Sequence, residues 1–276
     1  IERCVKSIQK YFNTIYIVDS FSTDQTKKIV QKLPVIFLEN KFINHSQQFN
    51  WALRQIDKNT DWVLRLDADE YITNELGFEI SSKIEKIDKP INGIYIPRKI
   101  IFQDSLIRFG GINPTKVLRL FRYGYGCCDS RWMDEHIQVR GQTTTFKNSI
   151  IDQNLKSLTW WINKHNNYSS KEAYELVKLK ILTNPRKNLN TNIENRKITY
   201  YYKIPIILRS FLYFIYRYFF NFGFLDGLRG FGFHFMQAFW YRLLVDMKYL
   251  EVMDKHKNRR YPLKKAVKET LLIDLK

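Results

Sequence analysis

The stretch WVLRLDADEY, residues 62–71, runs from apolar residues straight into three acids, Asp67, Asp69 and Glu70. Residues 61–67 (DWVLRLD) read as a short strand. Acids that end a strand sit where open α/β sheets place their ligands, outside the carboxyl ends. If the backbone stays extended, Asp67 and Asp69 face the same side. Two hard oxygen donors with room for water suit Mg²⁺ or Mn²⁺ bridging to a diphosphate. A solvated turn is the other reading of the same residues.

Working outward from this strand, helical and strand signals alternate. Ile1, Val5, Ile8 and Phe12 recur at helical spacing, so residues 2–12 predict a helix. TIYIVDS (14–20) predicts a strand, Ser22 to Lys32 a capped helix, PVIFLEN (34–39 and Asn40) a strand, and His45 to Ile56 a helix. This alternation predicts an α/β layer with a parallel sheet. The first helix has no strand before it, which predicts an N-terminal strand that this sequence does not contain. Beyond Asp69, Thr73 to Lys86 reads as a helix, and NGIYIPRKIIF (92–102) and KVLRLFRY (116–123) as strands joined through Gly-Gly and Pro. Leu155 to about Leu182 reads as a helix that brings Trp160, Trp161, Lys164, His165 and Tyr168 close together. The polar stretch 183–199 reads as a linker or lid.

Residues 200–251 are dense in aromatics, but Arg209, Arg217, Asp226, Arg229 and Arg242 interrupt every apolar run. A membrane-crossing helix needs roughly 20 consecutive apolar residues. The segment therefore predicts either helices lying in a bilayer interface with Arg reaching phosphates, or core or dimer helices. The expected division is a catalytic domain over 1–150, a helical segment with linker or lid over 151–199, and an aromatic, basic helical region over 200–276.

Lys and Arg outnumber Asp and Glu by 45 to 27, a formal net charge of +18. That balance favours polyanionic partners: nucleic acid, an acidic membrane surface or phosphorylated substrates. No nucleic-acid-binding motif is recognisable. Three Cys, two of them adjacent at 127 and 128, form neither a disulfide framework nor a zinc spacing, and point to a reducing cytosol.

Two further motifs carry acids. In VDSFSTDQT (18–26), Asp19 ends a strand, where it can accept from a base N–H or a ribose hydroxyl, and Asp24 opens a helix, where a simple cap is the alternative. In RWMDEHI (131–137), Asp134, Glu135 and His136 follow Trp132, which offers a platform for a sugar ring. A carboxylate partly desolvated by an aromatic wall suits a general base that takes a hydroxyl proton; a surface loop is the alternative.

Together these motifs, with QQFNWAL (47–53), LDADE and FGGINPTKVLRLFR followed by MDEHI, resemble family 2 glycosyltransferases of the GT-A fold. The branch they are similar to adds sugars to lipopolysaccharide core, O-antigen or exopolysaccharide. The resemblance implies a Rossmann-like nucleotide-sugar-binding domain with a mostly helical, aromatic-rich C-terminal extension. It further implies that Asp19 binds the nucleobase, Asp24 supports that loop, and Asn50 is the usual Asn of the following helix. Asp67 would contact ribose or metal, and Asp69 would ligate a divalent cation (Mg²⁺ or Mn²⁺) on the diphosphate. Glu135 would be the base, with Asp134 the alternative. Arg119, Arg122, Lys164 and His165 would be phosphate contacts. The implied reaction is inverting transfer from a UDP- or GDP-sugar to a lipid-linked saccharide, without nucleic acid, by a cytoplasmic protein peripheral at the inner face of the membrane. A non-catalytic relative serving as a subunit is the alternative.

Overall fold

The computed structural model describes residues 1–128, 136–181 and 204–273. They fall into two compact units, one of residues 1–108 and 112–155 and the other of residues 109–111 and 156–276.

In the first unit, α1 (Glu2–Ile8), β1 (Tyr16–Asp19), α2 (Thr26–Val30), β2 (Ile36–Glu39), α3 (His45–Leu53) and β3 (Trp62–Leu64) alternate as the sequence pattern predicts. β1 and β2 pair in parallel, Tyr16 with Ile36 through Asp19 with Glu39. The helices are shorter than their periodic stretches; α1 and α2 start without a side-chain cap. The Asn44 side chain accepts from the Gln47 N–H to start α3, as a short polar side chain does at an N-cap. Thr73 does the same for α4 (Asn74–Lys83) by accepting from Leu76.

The larger sheet is mixed rather than parallel. After β4 (Glu70–Ile72) come β5 (Ile91–Phe102), β6 (Ser105–Ile107), β7 (Thr115–Arg122), β8 (Gly126–Cys128), β9 (Ile137–Val139), β10 (Gln142–Thr145) and β11 (Ile150–Gln153). The strand order is β3-β7-β5-β11-β4, with β6 and β10 also pairing with β5. β7 pairs antiparallel with both β3 and β5, whereas β10 and β11 run parallel to β5. The parallel expectation therefore holds for β1–β2 and part of β5, and fails where β7 returns through the Gly110-Gly111 connection instead of a helical crossover.

β3 and β4 close opposite ends of this order, yet only Arg65 to Asp69 connect them. Four strand spacings of about 4.8 Å would need an almost fully extended connection. Part of it is a hydrogen-bonded turn instead, so the sheet curls to bring its edges together. The core beneath it is Ile72, Leu76, Ile80, Ile94, Ile96, Leu120, Phe146 and Ile150. Each is nearly sealed from water, and burial of such a side chain is worth about 1.5–3 kcal/mol.

The second unit is helical. α5 (Leu158–Ile181) packs with α8 (Tyr241–Lys257) and α9 (Leu263–Leu271), with α6 (Ile206–Ile215) and α7 (Gly227–His234) between them in sequence. Ala173, Val177, Val245, Val252, Ala266, Val267 and Leu271 form its core. The short connection Phe109–Gly111 belongs to this unit: Gly110 N–H donates to the Asn221 carbonyl, and Phe109 N–H to Asp226. Gly110 has φ +80, and a Cβ there would lie 2.0 Å from the His234 ring, so glycine is required twice over. Among the described residues, no helix is long and apolar enough to cross a membrane. The stretch 183–199 expected as a linker or lid lies outside the described residues.

Candidate active site

The acids that end β3 form a tight turn. Glu70 N–H donates to the Asp67 carbonyl at 2.9 Å, while Asp67 N–H donates to Glu70 Oε2 at 3.0 Å. The extended backbone that would align Asp67 with Asp69 is thus replaced by a turn, and the two carboxylates have different surroundings.

Asp67 faces cations. Arg119 Nη2, from β7, donates to its Oδ2 at 2.9 Å, and Arg65 Nη2 lies 3.5 Å from its Oδ1. Burial works to raise the Asp67 pKa, but the Arg119 and Arg65 charges prevail and hold it at about 2. Its side chain nevertheless remains 46% exposed, so one face stays open to a ligand. The same Arg119 nitrogen donates to Glu70 Oε1 at 2.7 Å. Glu70 is 1% exposed, and burial pushes its pKa up to about 7 against the opposing pull of Arg119. The register explains this cluster: β3 and β7 are antiparallel neighbours, and Arg65 N–H donates to the Arg119 carbonyl beside the turn. Glu70 reads from sequence as a third, solvated acid; it is the buried counter-ion of Arg119.

Asp69 meets a neutral partner, the Asn154 amide, which donates to Oδ2 at 3.2 Å. Its carbonyl is tied down by Arg3 and by the Gln153 N–H. Among the described residues, no group of three His, Cys, Asp or Glu side chains is gathered for a metal. Mg²⁺ is commonly held by one or two carboxylates with the remaining positions filled by phosphate oxygens and water. The donor set fits such a site at Asp69 better than at Asp67, whose charge two arginines already balance. Cys4, near these acids, is kept a neutral thiol: burial pushes its pKa up to about 12.

Asp19 is buried at the end of β1 and accepts from Ser22 N–H at 2.7 Å and Ser22 Oγ–H at 2.6 Å. This closes a loop whose tip, Phe21, has φ 59 and is exposed. Asp24 accepts from the Thr26 N–H at 2.9 Å, two residues on, while the N-cap position of α2 is Gln25, which makes no side-chain cap. Asn50 pairs with the backbone of Cys128 through both ends of its amide, donating to the carbonyl and accepting from the N–H, each at 2.9 Å. It thereby fixes β8 immediately before residues 129–135. Trp132, Asp134 and Glu135 lie outside the described residues.

The basic residues divide. Arg119 is sealed into the acid turn rather than presented to a phosphate. Arg122 lies opposite Trp62 in the β3–β7 register, at the end of β3 away from Asp67. It stacks 4.5 Å over the Trp62 ring and donates to the Ile87 and Ile91 carbonyls. Lys164 and His165 belong to the second unit. Lys164 sits 5.0 Å over Trp160, and His165 stacks at 3.5 Å on Trp161, where burial lowers its pKa. Sequence reasoning missed Glu70 and Asn154. The first sat in plain view beside the D-x-D, whereas Asn154 carried no signal at all.

The first unit is thus an α/β domain in which an acidic turn, Asp67 to Glu70, follows the end of β3. Residues 1–137 match the family model for glycosyl transferase family 2, and the chain belongs to that family: it is a glycosyltransferase. A Rickettsia bellii glycosyltransferase is 26% identical over 77% of this chain and 74% of its own length. One from Rickettsia felis is 26% identical over 77% and 76%. The crystal structure of Staphylococcus aureus TarS residues 1–349 in complex with UDP has 15% identity, covering 91% of this chain and 87% of that one, with a TM-score of 0.40.

Proposed function

We propose that the chain transfers a sugar, with inversion, from a nucleotide-diphosphate sugar to a lipid-linked saccharide at the inner face of a bacterial cytoplasmic membrane. Lipopolysaccharide or exopolysaccharide synthesis is the process it would serve. The observation that carries this reading is the division within the acid turn: the Asp67 carboxylate is held by Arg119 and Arg65, whereas the Asp69 carboxylate accepts from the neutral Asn154 amide.

Asp69 is assigned to a divalent cation on the diphosphate, and Asp67, with its exposed face, to the ribose side of the donor. When bound, the ion supplies Lewis-acid stabilisation of the charge that develops on the leaving nucleoside diphosphate. Asp19 is assigned to the nucleobase, with Ser22 fixing its carboxylate. Glu135 is assigned the proton of the acceptor hydroxyl, with Asp134 the alternative and Trp132 the sugar platform. A base on the face opposite the leaving group gives in-line attack and inversion. Arg119 is assigned to positioning Asp67 instead of touching phosphate.

Titration calorimetry with UDP in the presence and absence of Mn²⁺ tests the assignment. Wild type is expected to bind more tightly with the ion, and Asp69→Ala to lose that gain. Equal affinity with and without Mn²⁺ in the wild type would remove the metal from the proposal.

A further inference from the structure

The aromatic segment interrupted by arginines resolves in an unexpected way: Arg209 and Arg217 turn inward while many of its phenylalanines stay exposed. Arg209 is 1% exposed and forms a bidentate ion pair with Asp246, itself 2% exposed. Arg217, 4% exposed, donates to the Gly110 carbonyl and lies against the Tyr213 and Phe233 rings. His234 is fully buried. Arg229 is then the one exposed charged side chain in Ile206–Trp240.

The outside of the same segment is apolar. Of the 25 large hydrophobic side chains exposed among the described residues, 13 fall between Ile207 and Phe235. Phe220 and Leu228 are the most open, at 73% and 83%. With about 150–250 Å² per aromatic side chain, the exposed apolar surface is on the order of 1,000 Å². A monomer in water rarely shows a patch above a few hundred Å². Burying Arg209 and Arg217 while exposing phenylalanines is the reverse of what water selects.

We propose that Ile206–Trp240 forms a bilayer-docking face, with the phenylalanines around Phe220 and Leu228 seated among the acyl chains of an anionic membrane. Two observations favour a bilayer over a second copy. The chain carries a net charge of +18, so an anionic surface attracts it at long range, whereas a second copy is repelled. Among the described residues no helix is long and apolar enough to span, so the fitting depth is the headgroup–acyl boundary, where aromatic side chains concentrate. This proposal deepens the lipid-linked acceptor reading and rests on it for its purpose.

Flotation of the full chain with phosphatidylcholine vesicles, with and without phosphatidylglycerol, tests it in the absence of donor and acceptor. UDP titration on the same proteins then reads the glycosyltransferase assignment separately. The wild type is expected to float with the anionic vesicles and less with the neutral ones. Phe220→Ser with Leu228→Ser is expected to weaken partitioning about 100-fold, about tenfold for each side chain withdrawn from the acyl region, with the circular dichroism spectrum unchanged. Phe219→Ser with Phe222→Ser is a second pair with the same expectation. Phe78→Ser, similarly exposed but in the other unit, is expected to float like wild type. No flotation of the wild type, equal flotation of the paired variants, or loss in Phe78→Ser would each overturn the proposal. So would a dimer in sedimentation velocity that the paired variants dissolve while the wild type ignores vesicles, which would give the face to a second copy.

Discussion

Replacing Arg119 by Met removes the guanidinium that both Asp67 and Glu70 share, and leaves a side chain of comparable length. The two contacts are 2.9 and 2.7 Å, and Glu70 is 1% exposed. Its other cation, Arg98, stands 3.9 Å away. Breaking a buried ion pair from one side typically costs about 3–5 kcal/mol, because the remaining charge is stranded. At about 2–4 °C per kcal/mol for chains of this size, the transition of the sheet-bearing unit should drop by roughly 10 °C at pH 8.

The sign of the pH dependence makes the test specific. Burial pushes the folded-state pKa of Glu70 to about 7, above its ordinary 4.5. Between those values the folded chain keeps a proton that the unfolded chain has released, so stability falls as pH rises through this window. Without Arg119 the folded pKa moves higher still, and the window widens upward. The deficit of Arg119→Met should therefore be smaller at pH 5, where Glu70 is protonated in both proteins and the loss is that of the Asp67 contact, and full at pH 8. Adding Glu70→Gln should recover most of it by removing the stranded charge. Differential scanning calorimetry at the two pH values reads all of this. A deficit that is equal at pH 5 and pH 8, or that Glu70→Gln leaves untouched, would refute the shared-arginine account.

Three further outcomes are expected. Glu135→Gln should keep UDP affinity and lower transfer about 10²–10⁴-fold; near-normal turnover would move the base to Asp134, tested by Asp134→Asn. Asn50→Ala removes the amide that meets both backbone groups of Cys128 and should cost about 1–3 kcal/mol, with transfer falling more than donor affinity because residues 129–135 follow directly; an unchanged melting temperature would dismiss its anchoring role. His234, fully buried, is held near a pKa of about 4 by burial and by the Arg217 charge. Its unfolded form takes up a proton first, so stability should fall as pH drops from about 6.5 to 4, by at most about 3 kcal/mol; urea titrations of His234→Leu should show that slope removed, and an equal slope would disprove it.

Much of the first unit was legible because its signals are local. A strand followed by acids, a Thr or Asn before an apolar helix face, and a Gly-Gly turn each act over a few residues, so β1, β3, α3 and α4 lie where the periodicity puts them. Strand direction is not local. Nothing in KVLRLFR says that β7 returns antiparallel between β3 and β5, and that neighbour relation is what delivers Arg119 to the acid turn. For the same reason Arg119 and Arg122, three residues apart in sequence, read as equivalent basic candidates. One is sealed between two carboxylates, and the other caps carbonyls at the far end of β3. Asn154 lay beyond reach because its role depends on β11 ending beside Asp69, which only the sheet order determines.

The second unit shows a different kind of failure. Counting arginines along residues 200–251 excludes a spanning helix, and that exclusion is sound because it depends on composition alone. The step from interrupted runs to arginines reaching outward for phosphates depends on direction, and the directions are opposite for Arg209 and Arg217. Asp246, 37 residues after Arg209, is the reason: a buried carboxylate opposite the first of these arginines allows its charge to be withdrawn at tolerable cost. The Gly110 carbonyl does the same for Arg217, on a connection contributed from more than a hundred residues earlier. A sequence that spends an aspartate and a glycine turn on hiding two arginines leaves its phenylalanines to define the surface. Asp246→Asn is accordingly expected to lower vesicle binding together with the melting temperature, whereas Phe220→Ser with Leu228→Ser lowers vesicle binding alone; if both lower the melting temperature equally, the aromatics belong to a core rather than to a docking face.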